Sequence, residues 1–300
     1  MKVLIAENWE DYELIDSGDG RRLERFGGYL LSRPDPQIIW KPSLPKVEWE
    51  KATAAFEQSW KLTNNQPEKW LCKYQNISFW VKLSPFKHTG VFPEQAVHWE
   101  FIHSVILNKV KNLVLDPSAS PQYDSLPNVL NLFAYTGIAS LVSAKAGAKV
   151  THVDASYPAI GWFQENIKAS GLESAQIRWI EDDVLKFCER EVKRGVKYDG
   201  IIMDPPVYGH GPKGETWDFN KSFPKLLALC QSLLTDKPLF VIANAYAISS
   251  SAITLENVFK DYFGDLEGDI ESGELALKES GPSERILSTG IFARWSEAKG

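Results

Sequence analysis

Two rhythms of apolar spacing divide the chain. Ahead of residue 87 the apolar positions alternate with polar ones over short runs. Tyr12-Glu13-Leu14-Ile15-Asp16 and Arg21-Arg22-Leu23-Glu24-Arg25-Phe26 both alternate. Ser17-Gly18-Asp19-Gly20 between them has turn chemistry, and Gly27-Gly28 marks another turn before Tyr29-Leu30-Leu31-Ser32-Arg33. A period of two reads as strand, with one face turned inward. Residues 70–83 repeat the pattern around Asn76 and predict a second hairpin. Pro34, Pro36, Pro42 and Pro45 punctuate the chain between the two groups. Seven of the eleven tryptophans precede residue 100, so residues 1–87 are expected to form a small, aromatic-rich β domain.

The second rhythm is helical and starts after a connector over residues 84–99. Ala96, Val97, Phe101, Ile102, Val105 and Ile106 recur at helical spacing, which predicts a helix over roughly residues 94–111. Residues 116–127, with Pro117 and Pro121, read as a loop. From Asn128 strands and helices alternate. Strands are expected at 129–132, 150–153, 177–180, 201–203 and 238–243, and helices at 138–147, 156–169, 184–194, 219–234 and 250–263. Two strands at about 268–277 and 286–295 close the chain. That alternation predicts an α/β fold: a Rossmann-like, doubly wound, mostly parallel sheet with a terminal antiparallel strand, over residues 88–300.

Composition narrows the class. An apolar content of 44% fills a sizeable core. No run of about 18 apolar residues reads as a membrane span. The first residues carry Glu7, Glu10 and Asp11 and do not read as a signal peptide. Three widely spaced cysteines, Cys72, Cys188 and Cys230, give neither a disulfide framework nor a metal cluster, and a cytoplasmic setting is expected. His88, His98 and His103 match no metal-binding spacing, so no metal is expected. A net charge of −6 counts against a surface that is basic overall, though not against a local basic groove. Arg21, Arg22, Arg25 and Arg33 read as a solvated strand face, because residues 1–42 hold six Lys/Arg against eight Asp/Glu.

The candidate chemistry lies where three strands end. Asn131-Leu132-Phe133-Ala134-Tyr135-Thr136-Gly137 follows the first of them, Asp154 ends the second, and Asp204-Pro205-Pro206 ends the fourth. In such sheets ligands bind at the carboxyl ends of the strands. A dinucleotide site needs several glycines so that pyrophosphate can approach bare backbone. This loop has one, Gly137, and its Phe133 and Tyr135 would crowd a phosphate. S-adenosylmethionine carries no phosphate and suits it better. Asp154 is placed to accept the ribose hydroxyls, and Asp183 with the Val184 backbone to bind the adenine.

Residues 88–300 resemble class I S-adenosylmethionine-dependent methyltransferases, and in particular the bacterial rRNA large-subunit methyltransferase group that includes the RlmI and RlmK types. The resemblance rests on the residue 131–137 loop, Val153-Asp154-Ala155-Ser156, Glu165-Asn166, Asp182-Asp183-Val184 and Met203-Asp204-Pro205-Pro206, with Gly90-Val91-Phe92-Pro93-Glu94-Gln95 as a pre-core segment. It implies cofactor contacts from Gln95, Asn131, Phe133, Tyr135, Thr136, Gly137, Asp154, Ala155, Ser156, Asp183, Val184 and Asp204. It also implies an RNA base as acceptor, held by Asp204, Pro205 and Pro206 and stacked on Tyr208. The aromatic stands one place later than in Asp-Pro-Pro-aromatic amine methylases. C5-cytosine chemistry needs a cysteine thiolate beside the acceptor, and no cysteine falls in residues 204–209 or 243–249. A nitrogen or oxygen target is therefore expected. Residues 209–217 read as a mobile glycine-rich loop in which His210 and Lys213 are solvated, and Asn244 and Tyr246 are expected to face the substrate. A protein or small-molecule acceptor and a non-catalytic cofactor binder are the alternatives, and a homo-oligomer is compatible with the sequence.

Overall fold

The computed structural model describes residues 1–300 except 8, 64–65, 116–125, 247–249 and 299–300. Short strands build the N-terminal part: β1 (Lys2–Ala6), β2 (Tyr12–Gly18), β3 (Arg21–Phe26) and β4 (Tyr29–Pro34). A one-turn helix α1 (Lys46–Trp49) leads to β5 (Ala54–Phe56), β6 (Trp60–Leu62), β7 (Lys69–Tyr74) and β8 (Ile77–Lys82). The β2–β3 turn is Asp19-Gly20, both at positive φ, the two-residue turn whose twist matches the strands it joins. Strands β2 to β6 form one sheet in chain order, and β7 and β8 pair as the hairpin expected over residues 70–83.

A 3-10 turn (Pro93–Gln95) enters α2 (Ala96–Leu115). Then come β9 (Asn128–Leu132), α3 (Ile138–Lys145), β10 (Lys149–Asp154), α4 (Tyr157–Ala169), β11 (Ile177–Glu181), α5 (Val184–Arg194) and β12 (Gly200–Met203). A small ribbon, β13 (Tyr208–His210) and β14 (Thr216–Asp218), precedes α6 (Phe219–Leu233), β15 (Phe240–Ala245), α7 (Ala252–Phe263), β16 (Asp269–Lys278) and β17 (Ile286–Ser296). Most of the loop expected over residues 116–127 lies outside the described residues.

The central sheet runs β1-β16-β17-β15-β12-β9-β10-β11. Strand β17 is antiparallel to β15 and to β16, and the other neighbours are parallel. The mostly parallel, doubly wound sheet with one late antiparallel strand is therefore present. The chain steps outward from β9 to β10 and β11, then returns to β12 on the other side of β9. That reversal opens a crevice between the carboxyl ends of β9 and β12. Side chains alternate across the sheet. Leu130, Leu132, Ile201 and Met203 meet Phe187, Phe223 and Phe259 of α5, α6 and α7. Val129 and Ile202 join the core built with Ile102, Leu141 and Phe163 of α2, α3 and α4. Burial on both faces explains why these strands read as apolar runs rather than as alternation.

Three readings of the sequence need correction. Strand β1 does not join the other N-terminal strands; it adds to the edge of the central sheet, with Lys2 opposite Gly273 and Ala6 opposite Leu277. The glycine-rich stretch over residues 209–217 is an ordered ribbon rather than a free loop. The arginine-bearing face is not solvated throughout. Arg33 is buried and donates to both oxygens of the fully buried Glu24 at 2.7 and 2.8 Å, and Arg22 pairs with the buried Asp35. Charges taken out of water must be paired and hydrogen-bonded, and here they are. The tryptophans serve the contact between the N-terminal strands and the core. The rings of Trp9, Tyr74 and Trp99 meet edge to face at 5.1 to 5.7 Å, and Trp162 of α4 donates to the Trp80 carbonyl at 3.0 Å.

Candidate active site

The turn after β9 is tight. Phe133 and Tyr135 sit at φ 53° and 50°, in the left-handed region, and Gly137 at 82°. A Cβ on Gly137 would lie 2.0 Å from the Phe163 ring, so only glycine fits there. Helix α3 begins immediately after it with no side-chain cap, which leaves first-turn N–H groups and the positive end of the helix toward the crevice. Thr136 holds the turn in place: its hydroxyl donates to the Gly90 carbonyl at 2.5 Å. Gly90 is itself pressed on Trp162 at φ 92°, where a Cβ would come within 2.1 Å of the ring.

Asp154 ends β10 and bonds the same turn. One oxygen accepts from the Tyr135 N–H at 2.7 Å, the other from the Ser156 N–H at 2.8 Å. Burial raises its pKa, opposed by those backbone donors. Each carboxylate oxygen keeps acceptor capacity for a further donor. Ser156 caps α4 through the Ala159 N–H at 3.3 Å, and Asp183 caps α5 through the Lys186 N–H at 3.0 Å. Val184, the first residue of α5, is buried behind Asp183, and Ala155 is half-buried between Asp154 and the cap. Asn131 borders the crevice, yet its amide donates to Ser140 at 2.9 Å, and Ser140 meets His152 at 3.1 Å.

Asp204 directly follows β12 and lines the same crevice as the tyrosine turn. The Gln95 amide donates to one carboxylate oxygen at 2.6 Å and to the Tyr246 hydroxyl at 3.1 Å. The second oxygen, Oδ1, is buried and has no partner. Burial drives the Asp204 pKa up to about 7; the Gln95 hydrogen bond opposes the rise and the nearby Glu94 charge adds to it. Pro205 is buried and Pro206 exposed. The crevice joining these parts is narrow and open to solvent on one side. Gln95, Phe133, Tyr135, Thr136, Gly137 and Asp204, all singled out from the sequence, line it. Asp154, Ala155, Ser156, Asp183, Val184, Pro205, Pro206 and Tyr208 lie outside that lining, Asp154 reaching it only through its hydrogen bond to the Tyr135 N–H. Another depression, beside Asn128, Lys149 and Ile177, opens at the amino ends of the strands, away from these motifs.

Trp217 is the residue that sequence reasoning missed. It is buried, donates to the Pro206 carbonyl at 2.6 Å, and sets its ring edge to face against Phe133 at 4.8 Å. One indole therefore touches both the cofactor-side turn and the proline corner. The only local hint was an aromatic inside a glycine-rich stretch. Tyr246, singled out from the sequence, does reach the site through Gln95. Asn244 is buried at the end of the same strand, its carbonyl oxygen unpartnered. The three cysteines are buried and none lines the crevice. Burial pushes the Cys72 thiol up to about 12. A hydrogen bond with Cys230, then burial, raises that of Cys188.

Among the described residues, bulky Phe133 and Tyr135 and the Asp204 carboxylate line the crevice, with a single glycine in the turn, so it suits a pyrophosphate poorly. A buried carboxylate with a free oxygen, an acidic strand end over the tyrosine turn and the uncapped start of α3 match a zwitterionic nucleoside instead. No family model matches the chain. A solved S-adenosylmethionine-dependent methyltransferase from Agrobacterium tumefaciens is 38% identical to it, with a TM-score of 0.91 over 99% of this chain and 93% of that one. The chain belongs to the S-adenosylmethionine-dependent methyltransferases, and S-adenosylmethionine is its cofactor. The structure of SMU.776 complexed with S-adenosylhomocysteine shares the fold, with a TM-score of 0.70 at 20% identity over 96% of this chain and 76% of that one. A ribosomal RNA large subunit methyltransferase K/L from Shewanella frigidimarina is 36% identical over 39% of this chain, which spans 16% of that protein's length. Among the described residues no cluster of His, Cys, Asp or Glu is placed to hold a metal, and no helix is long and apolar enough to cross a membrane.

Proposed function

We propose that this enzyme methylates a nitrogen or oxygen atom of an RNA base, with ribosomal RNA as the leading substrate and the cytoplasm as its setting. The observation that carries this is the Asp204 carboxylate. One of its oxygens is fixed by Gln95 and the other is unpartnered, which is what an exocyclic amine needs to be held and stripped of a proton. The end of β15 supports it: the side chain that reaches Gln95 there is a tyrosine, not the thiol that attack at a pyrimidine C6 requires. Relatives named as ribosomal RNA methyltransferases support the RNA substrate.

When bound, S-adenosylmethionine supplies an activated methyl group on its sulfonium. The chain's own task is alignment and exclusion of water. In this reading Asp154 holds the ribose, Asp183 and the Val184 backbone the adenine, Gln95, Asn131, Phe133, Tyr135, Thr136 and Gly137 line the pocket, and Ala155 and Ser156 flank Asp154 at its rim. Pro205 and Pro206 stiffen the corner that presents the acceptor, Asp204 holds the acceptor N–H or O–H, and Tyr208 stacks on the base. Mass spectrometry of modified nucleosides in rRNA and tRNA from a deletion strain tests this. One methylated base is expected to vanish, to return with the wild-type gene and to stay absent with Asp204→Ala. An unchanged nucleoside profile would refute an RNA substrate. The net charge of −6 favours a second reading, a protein or small-molecule acceptor; RNA binding that weakens with added salt would count against that one.

A further inference from the structure

Three buried polar side chains meet behind the cofactor turn. Asn131 of β9 and His152 of β10 stand opposite each other in register. Ser140, in the first turn of α3, touches both. The Asn131 amide nitrogen donates to the Ser140 hydroxyl oxygen at 2.9 Å, and that oxygen lies 3.1 Å from His152 Nδ1. Among the described residues these are the only two partners of the hydroxyl, so its one hydrogen has a single acceptor, His152 Nδ1. Burial drives the His152 pKa down to about 3, which keeps the ring neutral and Nδ1 free to accept. Nε2 has no partner and carries the ring's hydrogen. The imidazole lies flat on the Phe163 ring, with centroids 3.7 Å apart and planes 4° from parallel. The same Phe163 closes on Gly137 of the turn.

We propose that Ser140 and His152 are positioning residues that turn the Asn131 carbonyl oxygen to the crevice, where it accepts from the amino-acid ammonium of S-adenosylmethionine. This rests on the reading of Asn131 as a wall of the cofactor pocket, and it is independent of which substrate is methylated. An asparagine amide has a donor end and an acceptor end of nearly the same shape. His152 takes the Ser140 hydrogen, so Ser140 offers Asn131 a lone pair and Asn131 answers with its N–H. Oδ1 is then the end turned to the crevice, which Asn131 lines at only 3% exposure. A flipped amide would set N–H groups against the ammonium, donor to donor. The helix end beside Asn131 suits the other half of the amino acid. The uncapped N–H groups of α3 attract the carboxylate. The ammonium, on the adjoining carbon, then needs an acceptor close by.

The test is calorimetry of the full chain with two ligands: S-adenosylhomocysteine, and its deamino analogue, which keeps the carboxylate and lacks the amine. The wild type is expected to prefer S-adenosylhomocysteine. Asn131→Leu is expected to weaken S-adenosylhomocysteine binding roughly ten- to 150-fold, the size of one hydrogen bond to a charged group, and to leave the analogue within about twofold. Ser140→Ala, and His152→Phe with its ring still on Phe163, are expected to lose at least about fivefold in the same selective way. Ser140→Ala removes a single oxygen and keeps the test decisive if the phenylalanine variant does not fold. Nitrogen-15 NMR of histidine-labelled wild-type protein, with His152 assigned by its loss in His152→Phe, is expected to show a proton on Nε2 and none on Nδ1. Equal losses for the two ligands would make Ser140 and His152 packing residues and overturn the proposal, as would a proton on Nδ1. Unchanged affinities in Asn131→Leu would remove Asn131 from the pocket altogether. A selective loss in Asn131→Leu, with wild-type binding in the other two variants, would refute the positioning role alone.

Discussion

Asp204 is where the chemistry and the electrostatics of a single side chain meet. Its pKa near 7 comes from burial, resisted by Gln95. Only the ionised form can accept both from Gln95 and from an acceptor N–H. The pH dependence of kcat/KM reports groups in the free enzyme, so activity is expected to fall as pH drops through about 7. The stability effect has the opposite sign. A carboxylate whose folded pKa is raised penalises the fold above that pKa and stops doing so below the unfolded value. Asp204→Asn is therefore expected to stabilise the chain at pH 8 and not at pH 4, by at most about 4 kcal/mol for a rise of roughly three units. A flat kcat/KM profile between pH 6 and 8 would contradict this. The strand-end acids Asp154 and Asp204 were legible because their position follows from the α/β pattern. The engagement of the Asn131 amide with Ser140 was not, because it depends on the packing of α3 against β9.

At the level of elements, the alternation of strands and helices from Asn128 onward could be read because each segment carries its own period. The ribbon could not. Its glycines suggest a free loop, and the contacts that order it come from Pro206, Phe133 and Lys186, none of which is visible in local spacing. Trp217 is the hinge of that order. Trp217→Phe keeps a ring against Phe133 and loses the hydrogen bond to the Pro206 carbonyl. The expected loss of stability is about 1 kcal/mol. The expected loss of kcat is larger, about tenfold, with S-adenosylhomocysteine affinity within about twofold of wild type. Stopped-time methylation assays and calorimetry measure the two quantities. Equal loss of both would make Trp217 a core residue and nothing more.

Across the whole molecule, the N-terminal strands hold one wall of the crevice. The pairing of β1 with β16 joins positions about 270 residues apart, and no local pattern announces a contact of that range. The buried arginines were misread for the same reason: in sequence Arg33 and Glu24 look like ordinary strand charges. In the fold, Arg33 grips Glu24 with two hydrogen bonds and donates a third to the Lys87 carbonyl at 3.2 Å, while Tyr12 donates to Glu24 at 2.8 Å and Lys87 to the Pro34 carbonyl at 3.2 Å. The connector held this way leads directly to Gly90 and Gln95. Burial works to raise the Glu24 pKa, but Arg33 and Arg22 beside it outweigh that and leave it lowered. Glu24 therefore contributes stability above the ordinary carboxylate range and loses it as pH falls through its depressed folded value. Breaking a buried pair by removing one charge costs about 3–5 kcal/mol. Glu24→Gln is expected to lose about that much in denaturant unfolding at pH 7, with the gap to wild type narrowing as the solution is acidified below pH 4. Because the connector also frames the cofactor, S-adenosylhomocysteine affinity is expected to fall in the same variant while it is still folded. A gap that stays constant with pH would mean that the loss comes from packing or hydrogen bonding and that charge is not what joins the N-terminal strands to the crevice.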